Sequence, residues 1–155
     1  MNGSVGKARV QYAALPFRRR NGFGTEVMLI TSNRTRRWII PKGWPMGRTA
    51  PHKAAAREAL EEAGVVGRVG SSPIGSYSYE KRLKKGQTVR CDVVVFPLEV
   101  KRQQRTWLEK GKREIQWLSL TQAADTVQET LLSDIIRTLG KPALTSNIRS
   151  RAAKA

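Results

Sequence analysis

The pattern of apolar and polar positions in the first half of the chain predicts strands followed by one helix. Ala8–Pro16 and Thr25–Thr31 are rich in aliphatic and β-branched residues, which favours strands. The arginine-rich, glycine-containing segment Arg18–Gly24 between them is expected to be a loop. Trp38–Ile40 predicts a further short strand, and the alanine-rich run Ala50–Ala63 predicts a helix.

Both ends of this helix carry recognisable signals. Thr49 is expected to be its N-cap, with Pro51 in the first turn, and Gly64 is expected to end it. Small and aliphatic side chains recur along one side at helical spacing, and this side should pack on a sheet: Ala56, Ala59, Leu60 and Ala63.

The second half of the chain predicts strands again. Val66–Lys81 and Gln87–Val100 are expected to form a long hairpin that turns at a Lys-Lys-Gly sequence. The run Val89–Leu98 is apolar enough to be a central strand. A polar loop, Lys101–Arg113, should precede a short strand at Glu114–Leu118.

The chain is predicted to end its ordered part with a helical region. Ser119–Val127 begins that region, and aliphatic residues at helical spacing continue it: Leu131, Leu132, Ile135, Ile136 and Leu139. Residues 1–140 are therefore expected to form a single α/β domain, and residues 141–155 a basic, flexible tail.

Length and composition agree with one such domain. A chain of 155 residues can bury a sizeable core, and it has neither an apolar run near 18 residues nor the apolar region of a signal peptide. We expect a protein without membrane segments in the cytoplasm. Cys91, the single cysteine, lies in the predicted central strand and should be a buried apolar residue.

A net charge of +17 indicates a polyanionic partner. The basic residues recur in several clusters along the chain, which favours a broad positive surface over one disordered arm. General solubility or weak nucleic-acid affinity explains any single cluster equally well.

The candidate chemistry lies in the predicted helix. Glu58, Glu61 and Glu62 are three and four residues apart, so they should project as one cluster of carboxylates that repel each other. Arg57 compensates one of them, and a divalent ion can compensate the others. A solvated helix face has similar composition, so the cluster alone does not decide between the two interpretations.

The spacing around this cluster resembles the Nudix hydrolase signature. The chain supplies Gly43, Arg57, Glu58, Glu61, Glu62 and Gly64 at the signature's offsets, and Val65 closes the motif. Thr49 stands where the signature has its first glutamate, and the small Ala59 takes an aliphatic position. The resemblance implies an α/β/α sandwich around a mixed β-sheet and metal-dependent cleavage of a phosphoanhydride bond. The missing glutamate puts rate or metal stoichiometry in question more than reaction class.

Segments outside the signature are similar to one branch of that family, the diphosphoinositol polyphosphate and diadenosine polyphosphate hydrolases. They are Arg37–Trp44, Gly75–Tyr79 with Val93–Val100, and Trp107–Leu118. This likeness implies a dinucleoside polyphosphate or a diphosphoinositol polyphosphate as substrate. The alternatives are a 5′-pyrophosphohydrolase acting on RNA or nucleotide sugars, and a non-catalytic Nudix-like module that binds RNA or a nucleotide. The sequence leaves the oligomeric state open.

The family resemblance implies roles for particular residues. Glu58 and Glu62 are the expected ligands of Mg²⁺ or Mn²⁺, Glu61 is the expected catalytic carboxylate, and Arg57 should orient a neighbouring carboxylate. A further acid from a loop is expected at Glu109 or Glu114. The candidate phosphate contacts are four basic residues: Arg37, Lys42, Lys112 and Arg113.

Overall fold

A computed structural model describes residues 8–141 and has a mixed β-sheet as its centre. The strands are β1 (Arg9–Arg20), β2 (Gly24–Thr31), β3 (Trp38–Ile39), β4 (Lys42–Gly43), β5 (Val65–Val69), β6 (Gly75–Arg82), β7 (Thr88–Gln103) and β8 (Ile115–Ser119). The helices are α1 (Pro51–Ala63), α2 (Leu120–Thr126) and α3 (Thr130–Thr138).

The parallel pair β1 and β7 forms the middle of this sheet. The strand order is β3-β2-β1-β7-β5, while β4 pairs with β1, β6 with β7 and β8 with β2. All of these other pairings are antiparallel. In β1, Ala13–Phe17 is buried throughout, as expected of a strand covered on both faces. The prediction of a central strand at Val89–Leu98 is confirmed.

Helices cover both faces of the sheet. On one face, Ala55, Ala59 and Ala63 of α1 pack against residues such as Met28 and Leu98. On the other face, α2 and α3 pack against the alternate strand positions, among them Leu15. Because alanine side chains are short, α1 lies close to its face of the sheet. The predicted α/β/α sandwich around a mixed sheet is confirmed.

Three predicted boundaries in the strands and terminal helices were wrong. Arg18–Arg20 is the end of β1 and not a loop, since its backbone pairs with Gly24–Glu26 of β2. Val66–Lys81 is two strands, because β5 and β6 lie on either side of a bend. The C-terminal helical region is also two helices, α2 and α3.

Two expectations about α1 were also wrong. The N-cap residue is Ala50 and not Thr49, and no side chain caps this end; the Thr49 amide instead donates to the Met46 carbonyl at 2.9 Å. Ala56 and Leu60 are only partly buried, because Ala55, Ala59 and Glu62 occupy the face turned to the sheet. The predicted C-cap is confirmed: Gly64 has a φ of 73°, and its amide donates to the Leu60 carbonyl.

The predicted tail lies outside the described residues except for Lys141. Cys91 is buried, as predicted. Within residues 8–141, no helix combines the length and apolarity needed to cross a bilayer.

Candidate hydrolytic site

Glu58 and Glu62 lie together on the side of α1 that faces the sheet. Residues four apart on a helix are neighbours, and here both side chains turn towards the short strand β4. A Cβ atom built on Gly43 of β4 would lie 2.3 Å from the Glu58 carboxyl carbon. Only a glycine therefore lets the backbone of β4 approach that carboxyl group so closely.

Burial dominates the electrostatics of this pair. Glu62 is only 5% exposed, and burial, followed by its hydrogen bond with Glu58, raises its pKa to about 9. Burial also raises the pKa of Glu58, whose carboxylate is hydrogen-bonded to Glu62. The two carboxyl groups thus share a proton that Glu62 retains, a neutralisation typical of like charges held close together.

Glu61 lies apart from this pair. Its Oε2 is 3.2 Å from Nε of Arg57, and the two side chains form an exposed ion pair along the helix. Among residues 8–141, no three Asp, Glu, His or Cys side chains converge in a metal-binding arrangement. The expected cluster of three carboxylates is therefore wrong: the helix turns Glu58 and Glu62 inward and leaves Glu61 with Arg57.

A buried arginine connects Glu62 to the loop that follows β7. The Arg113 guanidinium lies 3.8 Å from Oε1 of Glu62, and its Nε donates to Oε1 of Glu109 at 3.0 Å. Its Nη1 also donates to the Thr31 carbonyl at 2.9 Å. Glu109 thereby comes next to the carboxylate pair, whereas Glu114 lies at the surface near Arg36, at 3.8 Å.

The same loop holds the C-terminal end of α1. The amides of Gln104 and Glu109 donate to the carbonyls of Gly64 and Glu61, at 2.7 and 2.9 Å. The Trp107 ring packs directly on Gly64, where an added Cβ would lie 2.3 Å from a ring carbon. These contacts satisfy carbonyls that a helix end leaves open, and so they fix the turn that carries Glu61 and Glu62.

A basic cleft of about 870 Å³ opens beside Glu62. Six basic side chains line it, together with Glu62 and Glu80: Arg34, Arg37, Lys42, Lys81, Arg82 and Arg113. Burial lowers the pKa of Lys42 to about 8, and its Nζ lies 5.0 Å from the centre of the Tyr79 ring. The cleft has the charge and size to accept several linked phosphates.

The four candidate phosphate contacts are placed differently. Lys42 and Arg113 line the cleft, and Arg113 is engaged by Glu109 and Glu62. Arg37 also lines it, but its Nη1 donates to Gln128 at 2.8 Å and to Glu129 at 3.2 Å. Lys112 is exposed on the loop after β7 and is not part of the lining.

Several cleft residues were missed by the sequence reasoning. Gln11 is buried in β1, and its Oε1 accepts a 2.6 Å hydrogen bond from the Tyr79 hydroxyl. A glutamine in an otherwise apolar strand was the available signal. Arg34, Lys81 and Arg82 were visible only as members of charge clusters, and periodicity does not show which cluster faces a cavity.

The donor set of Glu58 and Glu62 fits a divalent cation. Two oxygen donors lie side by side, and their mutual repulsion is relieved by a shared proton that a cation can replace. Magnesium typically takes one or two carboxylates and completes its coordination with water and substrate phosphates. A pair of carboxylates beside a phosphate-sized cleft meets that requirement.

Comparison with known proteins defines the class. The NUDIX domain family model matches residues 8–139, and the chain belongs to this family. Nudix hydrolase 21, chloroplastic, of Arabidopsis thaliana is 31% identical over 122 residues, which are 77% of this chain and 59% of that protein. Nudix hydrolase 18, mitochondrial, of the same plant is 30% identical, over 74% of this chain and 62% of that protein. The chain thus spans about three fifths of the length of these curated relatives.

Solved structures share the fold at low sequence identity. An Ap4A hydrolase binary complex from C. elegans aligns with a TM-score of 0.61 at 16% identity, covering 90% of this chain and 99% of that one. The NUDIX domain of Shewanella oneidensis NrtR, complexed with ADP ribose, aligns with a TM-score of 0.60 at 14% identity, covering 83% and 84%. The predicted Nudix fold is confirmed, and so is the assignment to the hydrolase class at the level of the family.

Proposed function

We propose that this chain is a divalent-metal-dependent hydrolase that cleaves a phosphoanhydride bond in a polyphosphorylated substrate. The supporting observation is the position of the Glu58–Glu62 pair at the wall of a basic cleft. A solvated helix face would leave both carboxylates in water, whereas Glu62 is 5% exposed. Burial of two adjacent carboxyl groups without a ligand is unfavourable, which supports a cation site.

The chain's own residues then have distinct tasks. Glu58 and Glu62 hold the cation, Mg²⁺ or Mn²⁺, which when bound offsets phosphate charge and makes water more acidic. Arg113 restrains Glu62, and Glu109 restrains Arg113. Lys42 offers a cation to the phosphates from the cleft wall.

Glu61 is the proposed acceptor of the proton from the attacking water. It is partly exposed, and Arg57 lies 3.2 Å away on the preceding turn of the helix. That ion pair keeps the carboxylate charged and limits its rotamers, so Arg57 is a positioning residue. Removing an acid–base group typically lowers rates by about 10²- to 10⁴-fold.

The substrate class follows from the charge of the cleft. Six cations exceed the charge of a single phosphate, and they suit a chain of phosphates such as that of a dinucleoside polyphosphate or a diphosphoinositol polyphosphate. The printed names of two fold neighbours concern Ap4A and ADP ribose. Both belong in a substrate test, together with RNA that carries a 5′-triphosphate.

A non-catalytic binding module is the competing function. Loss of catalysis by sequence decay would be expected to remove Glu58, Glu61 or Glu62, and the chain keeps all of them. Thr49 is the one missing acid of the signature. A binding module remains a defined outcome of the experiment below.

The test is a product assay with each substrate in Mg²⁺ or Mn²⁺, for the wild type and Glu61→Gln. We expect turnover of a polyphosphate and a loss of about 10²-fold or more in kcat for the variant. Asp125→Asn is the matched control, because it also neutralises one carboxylate but on the exposed surface of α2. No turnover of any substrate would contradict the enzyme proposal, and full activity of Glu61→Gln would contradict the role of Glu61.

A further inference from the structure

The end of the sheet opposite the cleft carries a second basic surface. Gln11 of β1 lines the cleft, and Arg19 lies eight residues further along the same strand. At about 3.3 Å per residue, this separates the two positions by roughly 26 Å. A ligand at the second surface therefore does not occupy the hydrolytic cleft.

Three arginines at this end have no acidic partner. Arg19, Arg68 and Arg102 are exposed, and none forms an ion pair with another residue of the range 8–141. They lie on the neighbouring strands β1, β5 and β7. Strands lie about 4.8 Å apart, so the three charges fall within roughly a Debye length of each other at 0.1 M salt.

A β-bulge brings these arginines to one face. Arg68 pairs with Glu99, and Glu99 is level with Phe17, which places Arg68 and Arg19 on the same face by strand alternation. The β5–β7 register shifts between Val66 and Gly67, so β7 has one extra residue before Arg102. That extra residue reverses the alternation and turns Arg102 to the face of the other two.

Aromatic side chains accompany the basic ones. Phe23, in the turn between β1 and β2, is 73% exposed, and the Arg20 guanidinium lies 5.2 Å from its ring centre. Arg18 stacks on Trp117 at 4.1 Å and pairs with Glu26 at 2.9 Å, so its charge is already engaged. An exposed ring beside unpaired arginines combines a stacking platform with phosphate contacts, as in single-strand binding surfaces.

We propose that Arg19, Arg20, Phe23, Arg68 and Arg102, called here the distal basic surface, bind single-stranded nucleic acid. The arginines contact the phosphodiester backbone, and Phe23 stacks on an unpaired base. A small polyphosphate is a poorer fit, since the residues spread over three strands and a turn. The proposal does not depend on the hydrolytic activity.

Binding of a labelled oligouridylate with a 5′-hydroxyl end tests the proposal. We choose about 12 nucleotides, within the usual site sizes for single strands, and follow fluorescence anisotropy at several salt concentrations. The 5′-hydroxyl end leaves the cleft without a terminal phosphate to bind. Arg19→Ala/Arg102→Ala should lower affinity at least about tenfold and reduce the salt slope by about 1.4, at roughly 0.7 per lost phosphate contact.

Matched controls separate a local surface from the general positive field. Lys53→Ala/Lys84→Ala also removes two exposed charges, but outside the distal basic surface, and should change affinity less than about threefold. An equal loss in both double variants would overturn the proposal, because the overall charge would then suffice.

Phe23 provides a test that does not involve charge. Phe23→Ala should weaken binding at least about fivefold with no change in the salt slope, as loss of one stacked base predicts. Leu108→Ala, at another exposed apolar residue of 74% exposure, is its control. Unchanged affinity of Phe23→Ala, or equal binding of anionic lipid vesicles through the same arginines, would overturn single-strand recognition.

Discussion

At the residue scale, two adjacent glutamates of one helix have opposite environments. Glu61 is partly exposed and paired with Arg57, whereas Glu62 is 5% exposed. Burial raises the pKa of Glu62 to about 9, so the folded protein holds a proton that the unfolded chain releases near 4.5. One position thus suits a charged base, and the other suits a carboxylate that needs a cation.

Without metal, Glu62→Gln should stabilise the protein. Because the folded pKa is raised, stability of the metal-free wild type falls as pH increases from about 4.5 to about 9, and the neutral amide escapes this loss. At pH 8 we expect a rise in Tm of about 2–4 °C for each kcal/mol gained, measured by thermal unfolding in chelator.

Added Mg²⁺ should reverse the order. It should raise Tm of the wild type by mass action and leave Glu62→Gln nearly unchanged. Asp125→Asn, an exposed carboxylate, should behave as the wild type does. Equal metal stabilisation of Glu62→Gln would show that Glu62 is not a ligand.

At the element scale, the junction between α1 and β5 fixes the carboxylate pair. Gly64 adopts a φ of 73°, and the Trp107 ring covers it. The loop after β7 therefore depends on a glycine at a helix end for its seat. A change at this junction should reach both the fold and the orientation of Glu61 and Glu62.

Gly64→Ala should destabilise the protein more than Gly22→Ala. Both glycines have positive φ, 73° and 81°, so both substitutions strain the backbone by about 1–2 kcal/mol. Only at Gly64 does the new Cβ meet a ring, whereas nothing lies within 4 Å at Gly22. Urea unfolding should give an excess loss of roughly 1–2 kcal/mol for Gly64→Ala. Equal losses would mean that the Trp107 contact relaxes freely.

Sequence reasoning predicted elements better than their junctions. Periodicity located α1 and the central strand because those patterns persist over many residues. It missed that Arg18–Arg20 continues β1, since a charged strand end resembles a loop until its pairing with β2 is known. It also placed Glu58, Glu61 and Glu62 in one cluster, because spacing alone does not show which side of a helix meets the sheet. The bulge that turns Arg102 is likewise a property of pairing and not of either strand alone.

At the scale of the whole molecule, the net charge of +17 has two separate locations. One is the cleft beside Glu62, and the other is the distal basic surface at the far end of β1 and β7. Composition predicted the total and a polyanionic partner. It could not divide the charge between a cavity and a surface, since strands distant in sequence assemble each of them.

The cleft charges should act mainly on substrate binding. Lys81→Ala removes a lining cation and should raise KM for a polyphosphate roughly three- to tenfold with little change in kcat, while Lys53→Ala should change KM less than about twofold. Raising salt should narrow the difference between the two variants by screening. Steady-state kinetics at two ionic strengths measures this, and an equal KM for both variants would contradict the assignment of the cleft.

The most direct test of the hydrolase account is the initial rate of polyphosphate cleavage as a function of Mg²⁺ concentration. The wild type and Asp125→Asn should show no turnover in chelator and a saturable rise with Mg²⁺. Glu58→Gln and Glu62→Gln should lose about 10²-fold or more in rate or require far more metal. Turnover in chelator, or wild-type metal dependence in both glutamine variants, would contradict a metal site formed by Glu58 and Glu62.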